Sequence, residues 1–280
     1  MKNSSRHEIL LYRIAVSGCF FGHGIMALRN SATFTSQWSG WVQSLWPDSL
    51  KYTMSDFFLK LVGTIDLMAG LAVLMPSVPA LALYWTIIWG LLTALSRLYF
   101  LTEFPPGSWI FPVKALSEFL IRVPNFVVPL VLAGLLGFAG LPARVRAYPK
   151  ESLVFFAIAA LTLGLALHQI TDLAHPLFEY ELAKFGKPLW YFHASSALNL
   201  LAVLSVAILF LRGSEKSFPL SGVSRFLVLA AYAATEGFAI AVTHRPHGWF
   251  YVFVKIIEHL PVYLCLRDFF VAKEPSRLIR

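Results

Sequence analysis

The 280-residue chain is 58% hydrophobic and only 14% charged, with a mean hydropathy of +0.67 and a net charge of +8. An ordinary soluble domain carries about 25% charged residues, so this composition excludes one and leaves a lipid bilayer as the solvent for most of the chain. The basic residues stand at the ends of apolar runs and form no stripe, which excludes a nucleic-acid surface.

Eight apolar segments are expected to cross the membrane: 9–28, 57–75, 80–101, 110–138, 153–173, 189–211, 223–242 and 249–270. Each is close to the roughly 20 residues needed to traverse a hydrocarbon core as a helix. Unbroken runs of this length favour helices over the alternating strands of a barrel, so the expected fold is an all-α polytopic bundle. Lys2 and Arg6 precede the first segment in the manner of a signal peptide, but no small-residue cleavage site follows, and a retained first helix is expected. After it, Trp38, Trp41, Val42 and Leu45 recur at helical spacing, as do Phe178, Leu182 and Phe185 in the corresponding later connection. Each set marks a short helix that lies at the headgroup level or packs on the end of the bundle. Pro124 and Pro129 in the fourth segment and Pro261 in the eighth remove backbone donors and predict kinks.

Pro106-Gly107-Ser108-Trp109 returns as Pro246-His247-Gly248-Trp249, a spacing of 140 residues in a chain of 280. Each copy opens an apolar segment that carries a cation and, about one turn later, a carboxylate. The chain therefore reads as a tandem duplication, with units at 1–142 and 143–280. Four helices is an even number, so both units enter the membrane with the same orientation and form a parallel repeat. On the side of the two termini and the even-numbered connections there are thirteen basic and five acidic residues, while the rest of the chain balances. The excess predicts cytoplasmic termini and a multi-pass protein of the plasma or inner membrane.

Charges facing lipid cost roughly 2.5–3.5 kcal/mol each, so those within the apolar segments must turn inward. In the first unit these are His23, Asp66, Arg97, Lys114, Glu118 and Arg122, most of them in the outer half of the bilayer. Lys114, Glu118 and Arg122 share one helix face. An Arg97–Glu118 pair across the third hairpin is expected, with Asp66 turned to His23 or to the surplus cation. In the second unit His168, Asn199, Glu236, Lys255, Glu258 and His259 occupy comparable depths, with Glu236–Lys255 the matching pair. Such groups either line a functional pocket or fix helix register as interhelical polar contacts. His168, Asp172 and His175, with Glu179 as a conceivable fourth ligand, form an alternative divalent-metal set. Histidines such as His23 and His168 are candidate axial ligands of a haem. Cys19 and Cys265 are the only thiols and form no redox or zinc motif.

Phe21-Gly22-His23-Gly24 in the first segment and Asp66-Leu67-Met68-Ala69-Gly70-Leu71 in the second resemble the four-helix DoxX family. Its members commonly carry His-Gly late in the first helix and an acidic residue followed by Gly in the second. Asp66 stands where the family more usually has Glu. The resemblance covers residues 9–138, and the second unit joins it only through the internal repeat, with Asn199 in place of the acid. It implies a four-helix membrane unit, here doubled, and an association with membrane redox systems that include a thiosulfate:quinone oxidoreductase subunit. His23 and Asp66 are the residues it marks as proton carriers. The expected function is a redox-associated, quinone-linked membrane subunit that works with a redox partner subunit. The alternative is a non-catalytic carrier or scaffold for a lipid or small metabolite.

Overall fold

Apolar sequence, proline and glycine between them decide where the helices run, where they stop and how closely they approach. The computed structural model describes residues 6–29, 43–99, 110–143, 148–174, 240–241 and 248–271. The helices are α1 (Arg6–Arg29), α2 (Lys51–Leu74), α3 (Ala80–Tyr99), α4 (Ile110–Ile121), α5 (Val123–Leu135), α6 (Lys150–Ala174), α7 (Trp249–Glu258) and α8 (Leu260–Val271), and there is no strand among the described residues. The segment expected at 189–211 lies outside the described residues, as do most of 223–242, the short helix at 178–185 and all but Leu45 of the one at 38–45.

Two expected single segments are each divided. The run 110–138 becomes α4 and α5 with Arg122 between them, and the run 249–270 becomes α7 and α8 with a 47° bend at His259. Pro124 and Pro261 each stand two residues beyond the junction, where they lack an N–H and their rings collide with the carbonyls of Leu120 and Ile257. Pro129 is accommodated inside α5. At its start α2 runs past the apolar stretch, because Asp56 and Lys60 form an i,i+4 ion pair at 2.6 Å that suits an emerging helix end.

Among the described residues five helical spans, with α4–α5 counted as one, are long and apolar enough to cross a bilayer, and the bent α7–α8 pair makes a sixth if counted as one span. Their outer faces expose large apolar side chains such as Met68, Leu71, Leu81, Ile88, Phe156 and Phe253. Surface of that kind is stable against lipid, and the chain has the character of a multi-pass membrane protein whose outer face meets the bilayer.

At the centre stands α1, which packs on α2, α5, α7 and α8. Tyr12, Val16, Cys19 and Phe20 are wholly buried there, beside Val127 and Val131 of α5 and Cys265 and Leu266 of α8. Against α2 the backbones themselves touch: a Cβ on Gly63 would lie 2.9 Å from the Gly24 carbonyl oxygen, and one on Gly24 would lie 2.8 Å from that of Gly63. Small residues allow this approach, which is how apolar helices gain dispersion contacts when lipid gives them no hydrophobic incentive to associate. The second hub is α6, which packs on α4, α5 and α8.

Where α1 and α6 begin and α8 ends, a polar knot ties the three together. Lys150 pairs with Glu8 and with Asp268 at 2.8 Å, Tyr12 donates to Asp268 at 2.7 Å, and Arg267 lies 3.2 Å from the same carboxylate. Arg13 closes the neighbouring turn by donating to the carbonyls of Met75 (2.5 Å) and Pro76 (3.0 Å). Asp268 is the shared acceptor and is 8% exposed, so Asp268→Leu takes the acceptor from the Tyr12 hydroxyl and leaves Lys150 with Glu8 alone. The substitution is expected to cost about 1–3 kcal/mol, read as a lower denaturant midpoint for the purified protein in detergent.

Candidate functional site

The ends of the helices opposite this knot carry the ionisable residues. His23 is late in α1, Arg97 late in α3 and His168 late in α6, while Lys114 and Glu118 lie in α4 and Lys255 and Glu258 in α7. The helix breaks help to present them. At Arg122 the backbone N–H bonds Phe119, three residues back, and leaves the Glu118 carbonyl without its usual helical donor. The Arg122 guanidinium supplies one at 2.9 Å and also pairs with the Glu118 carboxylate. At the other break the His259 ring donates from Nδ1 to the Lys255 carbonyl at 2.7 Å. Arg122 thus answers the backbone demand that a broken helix creates inside an apolar bundle, while at His259 the ring adds a second donor to a carbonyl that its own backbone N–H already reaches at 3.2 Å.

Two histidine–carboxylate pairs follow. His23 Nε2 is 3.0 Å from Glu258 Oε1, and His168 Nδ1 is 3.4 Å from Glu118 Oε1. Close backbone approach makes both possible. A Cβ on Gly22 would lie 2.7–3.0 Å from the Cβ, Cα and N of Glu258, and one on Gly164 within 3.0 Å of Ser117, Leu120 and Ile121. Each carboxylate has a cation as well: Lys255 on Glu258 at 2.6 Å and Arg122 on Glu118. Lys114 Nζ reaches His168 Nε2 at 3.1 Å. Between the two pairs, Arg97 comes within electrostatic reach of Glu118, Arg122 and Glu258.

Asp66 is 2% exposed and accepts a hydrogen bond from Trp85 Nε1 at 2.7 Å. Trp89 stacks on Trp85 with centroids 5.2 Å apart and is within hydrogen-bonding reach of the same carboxylate. Asp66 also feels the charge of His23, as the sequence led one to expect, but its direct partner is an indole. On the other side of His23, one turn back in α1, Cys19 Sγ lies 4.0 Å from Nδ1. Neither Trp85 nor Cys19 stood out as a site residue in the sequence. Their signals were available: an indole on the adjoining helix, and a thiol at i−4 from the histidine.

The structure thus brings together His23, Asp66, Arg97, Lys114, Glu118, Arg122, His168, Lys255, Glu258 and His259. Of the expected Arg97–Glu118 pair, an electrostatic interaction is present, while Glu118 forms ion pairs with Arg122 and His168. Lys255 pairs with Glu258 on its own helix, and Glu236 and Asn199 lie outside the described residues. Of the alternative metal set, His168 has both ring nitrogens facing Lys114 and Glu118, the side chain of Asp172 is not described and His175 lies outside the described residues. The described residues hold no group of three potential metal ligands. His23 and His168 each pair with a glutamate, a different use from the axial haem ligation considered above.

The paired side chains keep accessible surface although protein encloses them: 22% for His23, 12% for Glu258, 27% for His168 and 13% for Glu118. Chemically, the cluster offers imidazole–carboxylate pairs that can hold protons and guanidinium and ammonium groups that can bind electron-rich oxygens.

No family model, curated protein or solved structure matches the chain.

The tight seat of Gly22 on α7 gives a direct check. Gly22→Leu must push α1 from Glu258 and is expected to destabilise the protein by about 1–3 kcal/mol. Gly134→Ala, with nothing within 4 Å of the new methyl group, is expected to leave stability unchanged or raised by up to about 1 kcal/mol. Unfolding midpoints of the two variants in detergent measure the difference.

Proposed function

We propose that this chain is a DoxX-like membrane subunit, built from two parallel four-helix units at 1–142 and 143–280, that binds a quinone in the polar cluster of its outer half. In this reading it lies in the plasma or inner membrane with both termini cytoplasmic and serves a redox partner subunit. The observation that carries it is the His23–Glu258 pair, 3.0 Å long and still accessible, beside Arg97 in an otherwise apolar bundle. A quinone needs that combination: an apolar path for its tail, donors for its carbonyl oxygens and a group that exchanges protons with them. Asp66 supports the same end of the cluster through its charge on His23. The duplication draws support from two matching broken pairs, α4–α5 and α7–α8, with a His–Glu contact at each.

A second reading, a carrier or scaffold for an anionic lipid or metabolite, is favoured by the balance of charge. Among the described residues the cluster holds four cations, Arg97, Lys114, Arg122 and Lys255, and three carboxylates, Glu118 and Glu258 beside them and Asp66 beside His23. A bound anion would make up the difference.

The test is saturable binding of ubiquinone-1 to the full chain in nanodiscs, followed by quenching of tryptophan emission. His23→Gln and Glu258→Gln are each expected to weaken binding about tenfold, the loss of one charge-assisted hydrogen bond. No saturation, or variants that bind like the parent, would overturn the quinone reading. Flux of a labelled anion through liposomes holding the protein, with no quinone binding, would establish the carrier.

A further inference from the structure

The two His–Glu pairs share a plan but differ in what faces the second ring nitrogen. At His168 the neighbour of Nε2 is the Lys114 ammonium, 3.1 Å away. An ammonium has protons to give and no lone pair, so Nε2 must accept. The single ring proton then sits on Nδ1, which lies 3.4 Å from Glu118 Oε1 without hydrogen-bond geometry to it. A second proton on Nε2 would set two donors against each other at hydrogen-bond distance. The other groups around His168 on its packing partners are Glu118 on α4 and Arg122 at the α4–α5 junction. Along its length α5 carries no ionisable residue, and Arg267 and Asp268 of α8 belong to the knot at the far end of the bundle.

His23 has the opposite surroundings. Nε2 faces a carboxylate oxygen of Glu258 at 3.0 Å and Nδ1 faces the Cys19 sulfur at 4.0 Å, and both of these can accept. The ring can therefore hold one proton or two with no donor opposing it. Asp66 on α2 adds a negative charge nearby, while Lys255 on α7 spends its charge on Glu258, His259 donates to a backbone carbonyl, and Arg97 of α3 reaches Glu258.

We infer that the two pairs divide the work: His23 with Glu258 is where the site takes up and releases a proton, and His168, its Nε2 capped by Lys114, is a positioning residue beside the Glu118–Arg122 pair. This deepens the functional reading above, on which it rests for its ligand, a molecule whose oxygen changes protonation at the site. The proton-accepting end of that ligand belongs beside His23, and its other polar end beside Arg122 and Glu118.

The test uses the full chain in nanodiscs, labelled with 15N in its histidines, with ring resonances assigned by their loss in His23→Gln and His168→Gln and followed from about pH 5 to 8. His23 is expected to show protons on both nitrogens over at least part of the range. His168 is expected to keep a protonated Nδ1 and a bare Nε2 throughout. Lys114→Met, which removes the opposing donor, is expected to let His168 bind its second proton, an effect that a purely structural lysine would not produce. The inference falls if His168 takes two protons in the parent protein, if His23 holds only one at every pH, or if Lys114→Met leaves His168 unchanged. Addition of ubiquinone-1 separates the two proposals. No perturbation of His23 by the quinone refutes the ligand reading and leaves the assignment of the two histidines standing on its own result.

Discussion

A carboxylate inside an apolar bundle has no water to turn to, and the contact between His23 and Glu258 is what this fold provides for one of its most enclosed acids. Much else follows from that need. Gly22 must be small so that α1 can settle on α7, and the chain must break at His259 so that α7 and α8 can each follow the surface of α1 in its own direction. The His168–Glu118 contact makes the same demands of Gly164, α4 and the junction at Arg122. Charge satisfaction and close packing are thus one constraint with two expressions. A side chain added at the glycine would undo the contact with histidine, and without that contact each glutamate would keep as ion-pair partner only a cation close to it in sequence, Lys255 for Glu258 and Arg122 for Glu118.

The arrangement is crossed. The first helix meets α7 and α8, from the far end of the chain, and α6 meets α4 and α5 from the early part. Each His–Glu contact therefore joins residues on either side of residue 142, and Arg97 reaches a glutamate on each side. At the opposite end the Lys150 knot repeats the pattern by linking Glu8, Tyr12 and Asp268. Ion pairs at both ends of the bundle and apolar packing between them hold α1, α6 and α8 in one register.

Much of this was legible in the residues. Apolar runs located the described spans to within a few positions, except that α2 continued into a polar turn stabilised by Asp56 and Lys60, which hydropathy cannot register. The polar layer was legible too, since a charge among some twenty apolar residues has few places to go. What the sequence could not supply was the choice of neighbour. Helical spacing shows that Lys114, Glu118 and Arg122 lie on one face, but not which helix that face meets. The short hairpin made Arg97 the natural partner of Glu118, and the packing of α6 against α4 put His168 there too. Asp66 shows the same limit: a charge was expected beside it, and His23 acts on it electrostatically, but its direct donor is an indole N–H on the next helix. The prolines announced bends, but not that a helix would divide at Arg122, where the side chain takes over the Glu118 carbonyl that the backbone gives up.

The hydrogen bond from Tyr12 to Asp268 spans 256 residues of chain. Synthesis delivers its two ends at opposite moments, and the same is true of His23 and Glu258. While the ribosome is still at work, α1 sits in the bilayer beside α2 with Gly18, Gly22 and His23 awaiting α7 and α8. A newborn chain of this kind is exposed to wrong partners for much of its elongation, so the insertion machinery has more to shield here than in a bundle assembled from sequential hairpins. Premature termination before α7 would release a product in which that flank of α1 has no seat.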